Sequence, residues 1–150
     1  MRTITVALGE KTYNIEIAAG LLDQIGAKAR VLSQAVKAAI ISDSNVDPLY
    51  GERLERSLAA SGFEVTRIVF AAGEQSKNLT VLGQVYDELA RAGLTRSDLI
   101  LTLGGGVPGD LGGFAAATFL RGIDFIQVPT SLLAQIDSSV GGKDRKSTRL

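Results

Sequence analysis

The chain has 150 residues, 45% of them hydrophobic, and its sixteen basic residues balance its sixteen acidic ones. This composition fits one globular domain and gives no bulk positive charge that would attract nucleic acid or anionic lipid. Neither histidine nor cysteine occurs, which excludes a disulfide framework, an imidazole base and a zinc site of the usual kind built from this chain alone.

The first predicted element is a β-hairpin. Residues 3–8 and 13–17 both alternate between apolar and polar side chains, and a Gly9-Glu10-Lys11 turn separates them. This start lacks the continuous apolar stretch of a signal peptide, and no later run is long enough to span a membrane. We therefore expect a cytoplasmic protein with no membrane partner.

Strand and helix patterns then alternate along the rest of the chain. Apolar runs predict strands at 37–41, 63–70, 98–103 and 123–128. Helical spacing predicts helices from 20 to about 32, from Asp47-Pro48 to Gly62, after the loop 71–77 as far as Gly93, from the glycine cluster to about 118, and beyond a cap at Thr130 or Ser131. In the second of these helices we expect Asp47 to be the N-cap.

This order of elements predicts an α/β fold, in which the hairpin precedes a Rossmann-like parallel sheet with flanking helices and right-handed crossovers. Ligands bind such sheets beyond the carboxyl ends of the strands. The polar loops at Ser42, Gly73, Gly104 and Thr130 all follow strands. We therefore expect them to gather on one edge and form a ligand site.

The glycine cluster supplies the strongest single motif. Gly104, Gly106 and Gly109 match G-x-G-x-x-G between a strand and a helix, where exposed N–H groups favour an anion. The motif follows several βα units rather than the first, and no acidic residue ends a strand about 20 residues later. Both an anion cradle and a tight strand-to-helix turn remain open on this motif alone.

Several polar residues near the predicted edge have both a structural and a functional interpretation. Asp43 and Asn45 are turn residues that could also bind a ligand. Glu74 and Lys77, three residues apart, could form a capping pair for the following helix. Asp110 could favour the helix N-terminus or hydrogen-bond ligand hydroxyls.

Three charged residues further along the chain raise the same alternatives. Arg121 is either a surface charge or a bidentate clamp for a phosphate or carboxylate. Asp137 needs a partner if it is buried, and Lys143 follows two glycines as a flexibly delivered cation. Asp137 and Lys143 are close enough in sequence to share a site.

Taken together, these residues closely resemble the core of the 3-dehydroquinate synthase family. The stretch GGGVPGDLGGFAAATFLRGIDFIQVPTSLLAQIDSSVGGK carries the resemblance, along with the SDSN loop at 42–45 and the Gly73-Glu74-x-x-Lys77 loop. The resemblance covers residues 1 to 143. It implies a cyclase that depends on NAD and on a divalent metal, zinc or cobalt. This family converts 3-deoxy-D-arabino-heptulosonate 7-phosphate to 3-dehydroquinate and phosphate, in the shikimate pathway that leads to chorismate and aromatic amino acids.

Matching the family's motifs position by position implies a role for each candidate. Asp137, Lys143 and Arg121 would be catalytic, with Arg121 binding the substrate phosphate across the interface of a homodimer. The implied cofactor-binding residues are Asp43, Asn45, Gly73, Glu74, Lys77, Gly105, Gly106, Val107, Gly109, Asp110, Thr130, Ser131, Asp137 and Lys143.

The sequence departs from the family's pattern at two places. Pro108 removes one possible N–H donor from the glycine loop. Residues 144–150, DRKSTRL, differ from the family's usual continuation, so we interpret 1–143 as the NAD-binding α/β domain and 144–150 as a non-native tail. The family's C-terminal helical domain, which supplies a Glu and two His as metal ligands, would then be missing. We expect the 150 residues alone to be inactive, with no metal ligands of their own.

Two other functions remain open from the sequence. One is a related sugar-phosphate cyclase or an NAD-linked polyol dehydrogenase of the same superfamily. The other is a non-catalytic nucleotide-binding module. Arg121, Asp137 and Lys143 together favour the synthase.

Overall fold

The computed structural model describes residues 2–8, 11–17, 21–130 and 147–149, with side chains over 21–130. Strands β1 (Arg2–Leu8) and β2 (Lys11–Ile17) pair antiparallel with Leu8 opposite Lys11, which confirms the hairpin. Across the described residues, no helix is both long and apolar enough to cross a membrane.

Helices and strands then alternate as the sequence predicts. In chain order they are α1 (Ile25–Leu32), β3 (Lys37–Asp43), α2 (Glu52–Ala60), β4 (Glu64–Phe70), α3 (Leu79–Arg91), β5 (Leu99–Gly104), α4 (Gly106–Thr118), β6 (Asp124–Pro129) and β7 (Ser147–Arg149). Short turns of tighter or wider helix precede or follow several of them, at Leu21–Gln24, Asp47–Gly51, Glu74–Ser76 and Phe119–Arg121.

One parallel sheet contains these later strands, in the order β4-β3-β5-β6-β7. The sheet confirms the predicted Rossmann-like α/β architecture. The chain moves from β3 to β4 on one side and then crosses back past β3 to β5 on the other, so the direction across the sheet reverses between β3 and β5. Ligands of open α/β sheets bind at such a reversal point.

Alternate strand residues bury two separate apolar layers, one on each face of the sheet. Ala39, Ile41 and Ile100 pack with α3 and α4 on one face. Ala38, Ile40 and the odd-numbered leucines of β5 pack with α1 and α2 on the other face. β5 is buried along its whole length, as expected for a strand covered on both sides.

Three local expectations are wrong, each because of a partner outside the local sequence. Ser42 and Asp43 belong to β3 rather than to a loop. Asp47 does not cap its helix: Val46 is the N-cap, and the Asp47 carboxylate lies 3.2 Å from the Arg67 guanidinium. Glu74 and Lys77 do not form the capping pair either.

The cap of α3 is Asn78, whose side-chain oxygen accepts the N–H of Val81 at 2.9 Å. Thr130 ends the described part of this region, so a helix capped there by Thr130 or Ser131 lies outside the described residues. The three residues of β7 pair in parallel with Phe125, Ile126 and Gln127. Whether 144–150 is native stays a prediction.

Candidate functional site

Hydrogen bonds join the carboxyl ends of four strands into one edge. The Ser42 hydroxyl of β3 donates to the Leu103 carbonyl of β5 at 2.7 Å. The Ser44 N–H donates to the Phe70 carbonyl at the end of β4 at 2.8 Å, and the Thr130 N–H donates to Gly104 at 3.1 Å. The loops that the sequence predicts to converge do converge.

The loop after β3 is held by its own aspartate. Asp43 is 8% exposed, and its Oδ1 accepts the N–H groups of Asn45 and Val46, both at 2.9 Å. The carboxylate therefore fixes the turn that presents the exposed Asn45 side chain at the reversal point of the sheet. Asp43 has a structural task in addition to the ligand contact that the sequence implies.

Gly104 makes the sharp turn from β5 into α4. Its φ of +143° is unfavourable for other residues, and a Cβ there would lie 2.8 Å from Cγ of Pro108. Pro108 is buried within the first turn of α4, where its missing N–H costs little. Pro108 thus packs against the glycine turn, and the departure from the family pattern fits the fold.

Gly105 and Gly106 differ from Gly104. Gly105 has an ordinary φ of −84°, and a Cβ built on either residue would have no heavy atom of the described residues within 4 Å. Packing among the described residues therefore does not require glycine at these two positions. A surface left bare at the start of a helix suits a ligand that approaches the backbone closely.

The N-terminus of α4 provides the donors for such a ligand. The first N–H groups of a helix, here those of Gly106 and Val107, have no carbonyl within the helix to bond. Gly109 is buried and its N–H donates to the Gly105 carbonyl at 3.2 Å. Gly109 therefore closes the helix rather than facing the open surface.

Across from this turn, Lys77 and Asp110 form an ion pair. Lys77 Nζ lies 2.9 Å from Asp110 Oδ2, and their side chains are 46% and 30% exposed. The hydrogen bond to Asp110 and the charge of that carboxylate raise the pKa of Lys77 above its ordinary value. The pair connects the loop before α3 to the first turns of α4.

The loop that carries Lys77 is itself braced. Gly73 has a φ of +116°, so the turn that begins there favours glycine. The buried Ser76 hydroxyl donates to the Ala71 carbonyl at 2.5 Å, and the Lys77 N–H donates to the Glu74 carbonyl at 3.0 Å. Glu74 is exposed at the start of this turn, where a ligand could reach it.

Arg121 lies at the amino ends of the strands, on the edge of the sheet opposite to the one that carries the glycine loop. It follows the C-terminus of α4, about 20 Å along the helix from the glycine loop by the ordinary rise per residue. Its side chain lines a cavity with Thr95, Arg96 and Leu120, residues that precede β5 and β6. The structure therefore does not bring Arg121 together with the residues of the carboxyl edge.

The remaining predicted site residues fall outside this geometry. Ser131, Asp137 and Lys143 are outside the described residues. Within the described part of the chain, no three Asp or Glu residues cluster so as to hold a metal ion. The carboxylates of the described residues therefore do not form a metal site.

Sequence reasoning missed the two serines that join the strand ends, Ser42 and Ser44. Ser44 Oγ accepts the Ala72 N–H at 2.9 Å and Ser42 Oγ bonds across to β5, so together they hold β3 to both neighbouring strands. A serine at the end of an otherwise apolar strand was the available signal. Its partners lie 28 and 61 residues away, and no local pattern identifies them.

Comparison with known proteins relates this geometry to a family. Residues 67–148 match the family model for the N-terminal part of 3-dehydroquinate synthase. The 3-dehydroquinate synthase of Clostridium acetobutylicum is 53% identical over 143 residues, which are 95% of this chain and 40% of that protein.

Solved structures agree with this assignment. A 2-deoxy-scyllo-inosose synthase complexed with carbaglucose-6-phosphate, NAD+ and Co2+ superimposes with a TM-score of 0.79 at 26% identity, covering 91% of this chain and 38% of that one. The 2-epi-5-epi-valiolone synthase ValA from Streptomyces hygroscopicus, with NAD+ and Zn2+ bound, gives 0.70 at 31% identity, covering 88% and 36%.

The chain spans about 40% of the length of the curated relatives that it matches. On the match of more than half of its residues to the family model, the chain belongs to the 3-dehydroquinate synthase family, as its N-terminal part.

Proposed function

We propose that this chain forms the NAD-binding part of a 3-dehydroquinate synthase. The complete enzyme would convert 3-deoxy-D-arabino-heptulosonate 7-phosphate to 3-dehydroquinate with elimination of phosphate. The observation that carries the proposal is the open glycine surface at Gly105 and Gly106, which the fold does not require and which lies at the reversal point of the sheet. Identity of 53% to a named synthase supports the choice of reaction.

The residues of the carboxyl edge fit NAD. Backbone N–H groups of Gly106 and Val107 would bind the pyrophosphate, since they lie at a helix N-terminus beside a surface without side chains. Asn45 and the second oxygen of Asp43 would contact the adenosine half, with Gly73, Gly105, Thr130 and Ser131 shaping the cleft. Gly109 would support the cleft from behind, by closing the first turn of α4. Bound NAD would supply a hydride acceptor that also returns the hydride, so that the reaction has no net oxidation.

The Lys77–Asp110 pair would position the ribose side of the cofactor. Asp110 can accept hydrogen bonds from ribose hydroxyls, while Lys77 offsets the repulsion between that carboxylate and the nearby pyrophosphate. Glu74 would complete this contact from the exposed turn before Lys77. Asp137 and Lys143 would lie between the nicotinamide and the substrate, with Lys143 neutralising anionic groups.

The proposed enzyme also needs a divalent metal and a second copy of the chain. The divalent metal, zinc or cobalt, would be held by residues in the part of the relatives that this chain does not cover. We propose a cytoplasmic homodimer in which Arg121 of one copy binds the substrate phosphate in the site of the other. That arrangement agrees with the distance of Arg121 from its own glycine loop.

A hybrid enzyme tests the proposal directly. Residues 1–143 are joined to the C-terminal part of the Clostridium acetobutylicum enzyme, and phosphate release from the heptulosonate phosphate is measured with NAD and cobalt present. We expect turnover from the hybrid and none from the 150-residue chain alone, to which NAD should bind only weakly. A folded hybrid that binds NAD but oxidises simple polyols instead of releasing phosphate would contradict the proposal.

A further inference from the structure

Two arginines at the amino edge of the sheet stand apart from the others. Side chains are described for seven arginines, and five of them have partners: Arg30 bonds to backbone carbonyls, and Arg53, Arg56, Arg67 and Arg91 pair with carboxylates. Within the same described segment, 21–130, Arg96 and Arg121 have neither an ion pair nor a hydrogen bond from the side chain. Both line one shallow depression that is open to solvent, together with Thr95 and Leu120.

The sheet register places these two arginines side by side. Leu99 of β5 pairs with Asp124 of β6 in the parallel ladder. Arg96 lies three residues before Leu99, and Arg121 lies three residues before Asp124. Paired positions on neighbouring strands are about 5 Å apart, so the two turns enter the sheet next to each other.

Hydrogen bonds hold the turn that carries Arg96, although the Arg96 side chain is exposed. Buried Asp98 accepts the Thr95 N–H at 2.8 Å and the Thr95 hydroxyl at 3.1 Å, and its other oxygen accepts the Lys37 N–H at 2.9 Å. The Asp98 N–H donates back to the Thr95 carbonyl at 3.0 Å. The Asp98 carboxylate is therefore engaged by these groups and does not neutralise Arg96.

The turn that carries Arg121 is held in an unusual conformation. Leu120 and Arg121 have φ values of +51° and +67°, which residues with a Cβ rarely adopt. Hydrogen bonds from Gly122 to Phe119 at 2.9 Å and from Ile123 to Ala116 at 2.7 Å fix this shape. Strain of this kind is retained where the surrounding structure enforces it, and it often marks a functional position.

We propose that Arg96 and Arg121 together bind one phosphate dianion, the phosphoryl group of a sugar phosphate. Guanidinium groups match phosphate oxygens in bidentate fashion, and two fixed turns reduce the entropy lost when both side chains engage one ligand. Arg96 is then an anion-binding residue beside Arg121. The inference rests on the proposed function only for the identity of the ligand, because the substrate there is a sugar phosphate.

Backbone NMR of the 150-residue chain tests this pairing. Inorganic phosphate and then ribose 5-phosphate are titrated at pH 7.5, with chloride adjusted to hold the ionic strength constant. We expect the amides of residues 95–97 and 120–122 to shift together for both ligands, with one shared dissociation constant. Two different constants, a response from one turn only, or binding of inorganic phosphate without the sugar phosphate would overturn the proposal.

Variants show whether Arg96 and Arg121 bind the phosphate together or whether any positive charge on the surface has the same effect. R96Q should weaken the titration seen at residues 120–122 at least threefold, R96K should weaken it less, and R53Q, which removes an exposed arginine paired with Asp23, should leave it unchanged. Unchanged amide shifts elsewhere establish that each variant is folded. If R96Q has no effect at 120–122, Arg96 takes no part. Failure of the hybrid enzyme to turn over leaves these titrations unaffected, so the two proposals fail separately.

Discussion

The two halves of α4 meet very different surroundings. In the middle of the helix, a Cβ on Gly112 would lie 2.4 Å from Cγ2 of Thr102, so the helix packs on the sheet through a bare glycine. At the start of the helix, a Cβ on Gly106 would have no atom of the described part of the chain within 4 Å. One glycine is required by packing, whereas the other leaves space for something that is not part of the fold.

Charged residues show the same contrast between the packed and the open regions. Asp98 is 6% exposed and accepts three hydrogen bonds from fixed donors. Asp110 meets Lys77 at the surface, where solvent screens much of their attraction. Residues in the packed region should therefore determine stability, and those in the open region should determine ligand binding with little effect on stability.

The largest expected loss of stability comes from Asp98→Asn. Burial raises the pKa of Asp98, but hydrogen bonds from the N–H groups of Lys37 and Thr95 and from the Thr95 hydroxyl, together with the Lys37 charge, lower it by more. The net pKa therefore lies below its ordinary value. The amide NH2 of asparagine would face one of these donors. We expect the free energy of unfolding at pH 7 to fall by about 2 kcal/mol, measured by urea denaturation.

The stability that the Asp98 carboxylate contributes should depend on pH in one direction. A carboxyl whose pKa is lowered on folding contributes its full stability above its unfolded pKa of about 4. That contribution is lost as pH falls through the lower folded value. The difference in stability between the original chain and Asp98→Asn should therefore be constant near neutrality and shrink below about pH 4. A difference that grows on acidification would contradict the assignment.

Gly112→Ala should produce the next largest loss. Its methyl group would overlap the Thr102 side chain, and overpacking of this kind costs about 1–3 kcal/mol. Gly83→Ala is the matched control, because Gly83 lies within α3 and a Cβ there has no atom of the residues that the structure describes within 4 Å. The control should gain about 0.5–1 kcal/mol from helix propensity. Equal effects of the two variants in urea denaturation would show that close packing at Gly112 is not what matters.

The sequence was sufficient to predict the regular elements but not their distant partners. Period-two alternation and apolar runs identify the hairpin and the four strands through β6, because burial on one or both faces is a local pattern. Asp47 was expected to cap a helix, and Lys77 to pair with Glu74. The charged groups that engage them instead, Arg67 and Asp110, lie 20 and 33 residues away.

The candidate site shows the same limit. The glycine motif is compatible with both an anion cradle and a tight turn, and only the structure separates Gly104, which makes the turn, from Gly105 and Gly106, which leave the surface open. Likewise, Arg121 follows a helix that begins at the glycine loop, and the length of that helix places it at the opposite edge. Spacing along the chain does not show whether two residues share a site until the strand order is known.

Gly106→Ala should change stability least while changing binding most. The added methyl group meets no atom of residues 21–130 and lies at a helix start, so we expect the free energy of unfolding to change by less than about 0.5 kcal/mol. In the hybrid enzyme, the same methyl group would occupy the surface proposed for the NAD pyrophosphate. The NAD dissociation constant, measured by calorimetry, should rise at least tenfold, and Gly83→Ala should leave it unchanged.

A loss of stability like that of Gly112→Ala would mean that the fold needs this glycine after all. Unchanged NAD binding would mean that the open surface serves another ligand, because a methyl group in the path of the pyrophosphate cannot be neutral.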